Sequence, residues 1–127
     1  VLFCTASSFA SDWKTYFKSP DITIEYKYSD CNDVENGIHQ EKILLRFINM
    51  QEKAVVLFYN KVLIYSATNS SAPDVKTFSI TLKSGETKEG DCTTKDNSLF
   101  IFSKQLNFSS TELKKFELKD IKVKTIQ

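Results

Sequence analysis

The sequence predicts an all-β protein: an antiparallel β-sandwich of about seven strands, immunoglobulin-like, with a short N-terminal helix. Three observations carry that expectation. Apolar residues recur with a period of two in several runs of five to ten residues, the pattern of strands with one buried face. Helical periodicity is weak throughout. The runs follow one another without the long intervening helices that a parallel sheet would require.

Taken in order, "SDWKTYFKS" places Trp13, Tyr16 and Phe17 at i, i+3, i+4. That spacing predicts a short amphipathic helix opening at Ser11 or Asp12 and closing before Pro20. "DITIEYKYS" sets Ile22, Ile24, Tyr26 and Tyr28 against Thr23, Glu25 and Lys27, a half-buried strand. "EKILLRFIN" is more continuously apolar and reads as a central strand. "NMQEK" is a loop. "AVVLFYNKVLIYSA" (54–67) is either one long bent strand or two strands meeting at Asn60-Lys61. "TNSSAPD" (68–74) is a loop. "VKTFSITLKSGE" alternates Phe78, Ile80 and Leu82 and turns at Ser84-Gly85. "NSLFIFSKQL" is a further strand, and "SSTELKKF" predicts one helical turn. In "FELKDIKVKTI", Phe116 and Leu118 are out of phase with Ile121 and Val123. One extra residue at Asp120 restores the phase, which predicts a β-bulge. Lys119, Lys122 and Lys124 cover the outer face of that strand and discourage edge pairing.

The chain has 127 residues, enough for one domain with a substantial core. Its formal net charge of +1 gives no electrostatic reason for nucleic acid as a partner. No run reaches the roughly 18 apolar residues that cross a membrane. The first ten residues carry no charge, whereas the other 117 carry all 33. Ser8-Phe9-Ala10 has small residues at the −3 and −1 positions of a cleavage site before Ser11. Residues 1–10 therefore read as a signal-peptide remnant, 11–127 as a single sandwich domain, and the location as secreted or periplasmic. The alternative is an ordinary N-terminal strand.

There are three cysteines, Cys4, Cys31 and Cys92. Removal of Cys4 with the leader leaves two in matching settings, "SDC" and "GDC". They read as a disulfide, Cys31–Cys92, stapling one end of the sandwich in an oxidising compartment. The alternative is a pair of reduced, buried thiols.

The order "W…ITIEYKYSDC…G…Q…ILLRFIN", then "F.ITLKSGETKEGDC", "LFIF" and "LKKFELKDIKVK", resembles small secreted β-sandwich domains of Bacteroidetes-type bacteria. The resemblance runs from about Trp13 to Val123. It implies export and an all-β fold, and it transfers no catalytic or binding residue.

"YSDCNDVENGIHQE" (28–41) is the densest polar run in the chain. An EF-hand read from Asp30 fails, because position 34 is Val, position 35 is Glu, and the only nearby glycine is Gly37. A solvated acidic turn is the simplest reading. An irregular calcium site on Asp30, Asp33, Glu35 and Asn36 is the alternative, and the same four residues form the candidate binding loop. His39 is the single histidine, and no paired ligand spacing supports zinc. No nucleophile elbow, phosphate-binding loop or catalytic grouping is present, so neither an enzyme nor a cofactor is expected. Most aromatics suit a core between sheets, with Tyr59 and Tyr65 expected to show a face to solvent. The function expected is an exported, non-enzymatic protein that binds a protein or surface partner or serves an accessory envelope role. A small-ligand or carbohydrate-binding module is the alternative.

Overall fold

A computed structural model describes residues 13–66, 73–108 and 111–126. The signal-like segment 1–10 lies outside the described residues, as does most of the loop 68–74. Among the described residues eight strands form: β1 (Lys14–Lys18), β2 (Ile22–Asp33), β3 (Ile38–Asn49), β4 (Val55–Tyr65), β5 (Asp74–Leu82), β6 (Thr87–Glu89), β7 (Phe100–Gln105) and β8 (Leu113–Thr125). A 3₁₀ turn, Val34–Asn36, links β2 to β3.

The strands make two antiparallel sheets that pack face to face. The larger has the order β1-β2-β3-β6, with β7 pairing the other half of the same β3 edge; the smaller has the order β5-β4-β8. The expected antiparallel sandwich is thus the one that forms. Its strand order is its own. β2 and β3 are a hairpin within one sheet, whereas an immunoglobulin constant-type sandwich places its second and third strands in opposite sheets.

The core lies where the period-two patterns meet. Ile22 and Ile24 of β2, Ile43, Leu45 and Phe47 of β3, and Val55, Leu57, Tyr59 and Leu63 of β4 all point into one cluster, completed by Ile80, Leu82, Ile101 and Leu118. β3 has neighbours along both edges, as its apolar run anticipates, and is buried at Ile43–Leu45, Phe47 and Asn49. β4 is one strand, not two: it pairs with β5 from Val55 to Leu63 and with β8 from Val55 to Tyr65. The Asn60-Lys61 pair is polar without being a turn.

The short N-terminal helix does not form. Trp13 precedes a strand, and β1 pairs antiparallel with β2. A bulge at Tyr16 explains the misleading spacing. It shifts the register between Thr15 and Phe17, so that adjacent Tyr16 and Phe17 both pack on the core. Three-plus-four spacing on a bulged strand imitates one face of a helix. The predicted helical turn at 109–116 is likewise replaced, from Leu113 on, by β8. Pairing with β4 decides its conformation.

The bulge in β8 sits where the phase break places it. Phe58 faces Lys122 and Asn60 faces Lys119, so Tyr59 lies opposite two residues, Asp120 and Ile121. Asp120 adopts φ 54°, the left-handed region that aspartate tolerates better than most residues. Asn60 Nδ2 donates to its carboxylate at 2.8 Å.

Candidate functional site

Between β6 and β7 the chain leaves the β3 edge and returns to the same place. Gly90 N–H donates to the Leu45 carbonyl, and Leu45 N–H donates to the Leu99 carbonyl. Residues 90–99 therefore form a loop whose ends are pinned together. Gly90 is required at this closure, because a Cβ there would run into the carbonyl of Leu99. The loop carries its own turns. The Asp91 carboxylate accepts from Thr93 N–H (2.8 Å) and Thr93 Oγ1 (2.7 Å), and the Asp96 carboxylate accepts from Ser98 N–H (2.9 Å) and Ser98 Oγ (2.6 Å). These hydrogen bonds hold both carboxyls below their usual range, the hydroxyls of Thr93 and Ser98 contributing most.

Three side chains and a disulfide fix where this loop lies. From β4, Tyr59 donates to Ser98 O at 2.7 Å, and Lys61 Nζ donates to Asn97 O and to Phe100 O. On the outer face of the larger sheet, Lys42 Nζ donates to Cys92 O at 3.3 Å and stands 4.7 Å from the Phe100 ring centroid. Cys92 is disulfide-bonded to Cys31 of β2, with Cα atoms 5.3 Å apart. The staple expected from the two matching Asp-Cys settings is therefore present.

The result is a groove of about 750 Å³. One wall is the tip of the β2–β3 hairpin, with Asp33, Val34, Glu35 and Asn36; the other is Thr93, Thr94 and Lys95 of the stapled loop. The disulfide, Gln40 and Lys42 line it between them. The hairpin tip is shaped locally. Gly37 adopts φ 65° and donates its N–H to Val34 O, while Asn36 Nδ2 donates to Asp33 Oδ2 at 2.8 Å. Val34 is left 79% exposed at the rim, with Ile38 exposed nearby. Apolar contact, carboxylates, amides, hydroxyls and an ammonium group thus face one another across a cleft open to solvent. That combination suits reversible recognition.

Of the candidate loop residues, Asp33, Glu35 and Asn36 line this groove. Asp30 does not: strand alternation turns it to the opposite face of the hairpin, where His39 Nε2 approaches its carboxylate at 2.7 Å. Among the described residues no group of three or more His, Cys, Asp or Glu side chains is placed to hold a metal ion.

One of the two aromatic expectations needs correction. Tyr59 is not exposed; it is 1% accessible, stacked between Phe47 (5.4 Å) and Phe78 (5.6 Å). Odd-numbered residues of β4 face the core, and the polar end of Tyr59 is satisfied by the Ser98 carbonyl rather than by water. Burial holds its hydroxyl far above its usual pKa. Tyr65 is half-buried, with its hydroxyl donating to Phe102 O at 2.8 Å and its pKa raised by burial and, to a smaller degree, by Asp74. The aromatic side chains that do stand out are Tyr28, 53% exposed, on the face of the hairpin away from the groove, and Phe108, 58% exposed, next to Asn107, whose Nδ2 donates to Gly37 O at 3.1 Å. Trp13 is flanked by cations, with Arg46 at 4.1 Å and Lys27 at 4.8 Å from its ring.

The fold and groove define a disulfide-stapled, all-β sandwich domain with an open groove at one end. Comparison with protein-family models, with curated proteins and with solved structures finds no match to this chain.

Proposed function

We propose that this chain is an exported, non-enzymatic domain that binds a protein or surface partner through the groove between the β2–β3 tip and the loop 91–95, or serves an accessory envelope role. The observation that carries the reading is the pairing of two distant segments by one disulfide into a cleft with exposed apolar residues on its rim. A disulfide suits an oxidising compartment. No helix among the described residues is long and apolar enough to cross a membrane. The resemblance to secreted Bacteroidetes-type domains supports the same reading. The carbohydrate-binding alternative calls for an exposed aromatic platform beside the turn 30–36. Tyr59 is enclosed, Tyr28 lies on the opposite face, Phe108 is exposed near the turn but does not line the groove, and none of the groove-lining residues is aromatic, which weighs against it.

The test is comparative cross-linking in the intact envelope or culture fluid, with the wild type beside a Val34→Asp, Ile38→Lys double variant. Both positions are exposed, so the variant keeps its thermal midpoint. One partner joined to the wild type and lost from the folded variant supports the groove. Equal labelling by both proteins would sink it.

A further inference from the structure

A sandwich is most easily joined by another chain at its strand edges, where backbone groups have no ladder partner. Here several edges are closed, although Lys27–Asp33 of β2 runs past β1 with no second ladder partner among the described residues. β1 is five residues long and bulged, and β6 has only three residues. Along β7, the carbonyls of Phe100 and Phe102 accept from Lys61 and Tyr65 of the opposite sheet. Along β8, Tyr16 Oη accepts from Leu118 N–H at 2.9 Å and lies 3.4 Å from Leu118 O. β8 also carries a bulge and a row of lysines. β5 is different. Its nine residues pair with β4 in unbroken register, it contains no proline, and among the described residues nothing pairs with its other edge.

That open edge borders a cleft of about 200 Å³ between β5 and β7. Asp74, Lys76 and Phe78, the alternate residues of β5 that face inward, line one side; Phe100 and Phe102 line the other. The volume suits one aliphatic or aromatic side chain. The geometry points to β5 as a strand-addition site for an extended peptide segment of a partner protein, with alternate side chains read by the cleft. Charge fixes the complement of an antiparallel segment. Apolar residues lie opposite Ile80 and Phe78, an acid opposite Lys76 and a base opposite Asp74. Read along the partner, that is apolar-x-apolar-x-acid-x-base. A second copy of this chain is a poor occupant. Full antiparallel overlap of two β5 strands centres on Phe78, placing Lys76 against Ile80 and Asp74 against Leu82, charge against hydrocarbon. The site is separate from the groove at the hairpin tip and does not depend on it.

The probe is the acetylated, amidated peptide TTVTLTETK, titrated into the oxidised protein with amide NMR and fluorescence anisotropy. Saturable binding is expected, with shifts and slowed exchange at β5 amides and little change at β1 or β8. N-methylation of alternate peptide amides should weaken binding about tenfold or more, since ladder hydrogen bonds carry the affinity. Lys76 is exposed, so Lys76→Glu should fold normally; it should weaken binding about threefold and regain it with a peptide bearing Lys in place of Glu. No saturable binding, equal binding of the N-methylated peptide, shifts confined to another edge, or a free protein that is already a dimer paired through β5 would each overturn the assignment.

Discussion

Lys61 is the residue at which sequence and environment disagree most. A lysine in a polar dipeptide reads as exposed, yet it is 5% accessible and its ammonium bonds two backbone carbonyls while standing 4.5 Å from the Phe78 ring centroid. Burial lowers its pKa to about 8; Lys76 lowers it further, and Asp96 and Asp74 oppose the shift. Below pH 8 both folded and unfolded chains hold this proton, and the folded state carries the cost of the buried charge. Above pH 8 the folded chain sheds the proton while the unfolded chain keeps it, up to about pH 10.5. Stability should therefore rise with pH from about 8 toward 10, by up to about 3 kcal/mol if other groups are silent. Tyr59 and Tyr65, whose raised pKa values act in the opposite sense, bound that window from above. Urea melts at pH 7, 8, 9 and 10 check it, and Lys61→Met should flatten the slope. An unchanged slope in that variant would remove Lys61 as its source.

At the scale of elements, the β8 bulge shows what periodicity can and cannot read. The phase break between Leu118 and Ile121 is visible in the sequence because both flanking pairs must reach one core. The bulge at Tyr16 is not visible, because β1 is too short to show a phase on both sides and its aromatics imitate a helix. Asp120 supplies a direct check. Its positive φ disfavours a β-branched residue, so Asp120→Val should cost about 1–2 kcal/mol. Asp120→Gly relieves the backbone while losing the Asn60 contact, and should stay within about 0.5 kcal/mol of the wild type. Thermal melts of the two variants decide it. Equal losses would show that the side-chain contact, not the backbone, sets the bulge.

For the whole molecule, the disulfide has two consequences that one experiment separates. It closes a loop of 61 residues, worth about 4 kcal/mol on the chain-entropy model. It also holds the loop 91–95 against the hairpin tip. A Cys31→Ser, Cys92→Ser protein should melt earlier, because the reduced unfolded chain is less restricted. The sheets should persist, since the core cluster makes no use of either sulfur. Hydrogen exchange should then quicken in residues 91–95 and 32–37 while β3 and β4 stay protected. Uniform quickening across the molecule would mean that the staple holds the fold rather than the groove.

Much of this protein was legible before its structure. The strand periods, the central place of β3, the bulge at Asp120 and the Cys31–Cys92 bond follow from local rules of burial, register and redox chemistry. Half of the groove was legible too, as the acidic turn. Its other wall was within reach, because a bond from Cys31 to Cys92 brings Thr93–Lys95 beside Asp33–Asn36. What the sequence alone left open was which face each side chain of β4 would take. β4 is apolar on both faces, so its alternation does not distinguish the inward row of Tyr59 and Lys61 from the outward row of Phe58 and Asn60. Only the packing of β4 against the larger sheet, with β7 and the loop 90–99 supplying carbonyls to Tyr59 and Lys61, decided that. Those are contacts between segments some forty residues apart, and no local pattern contains them.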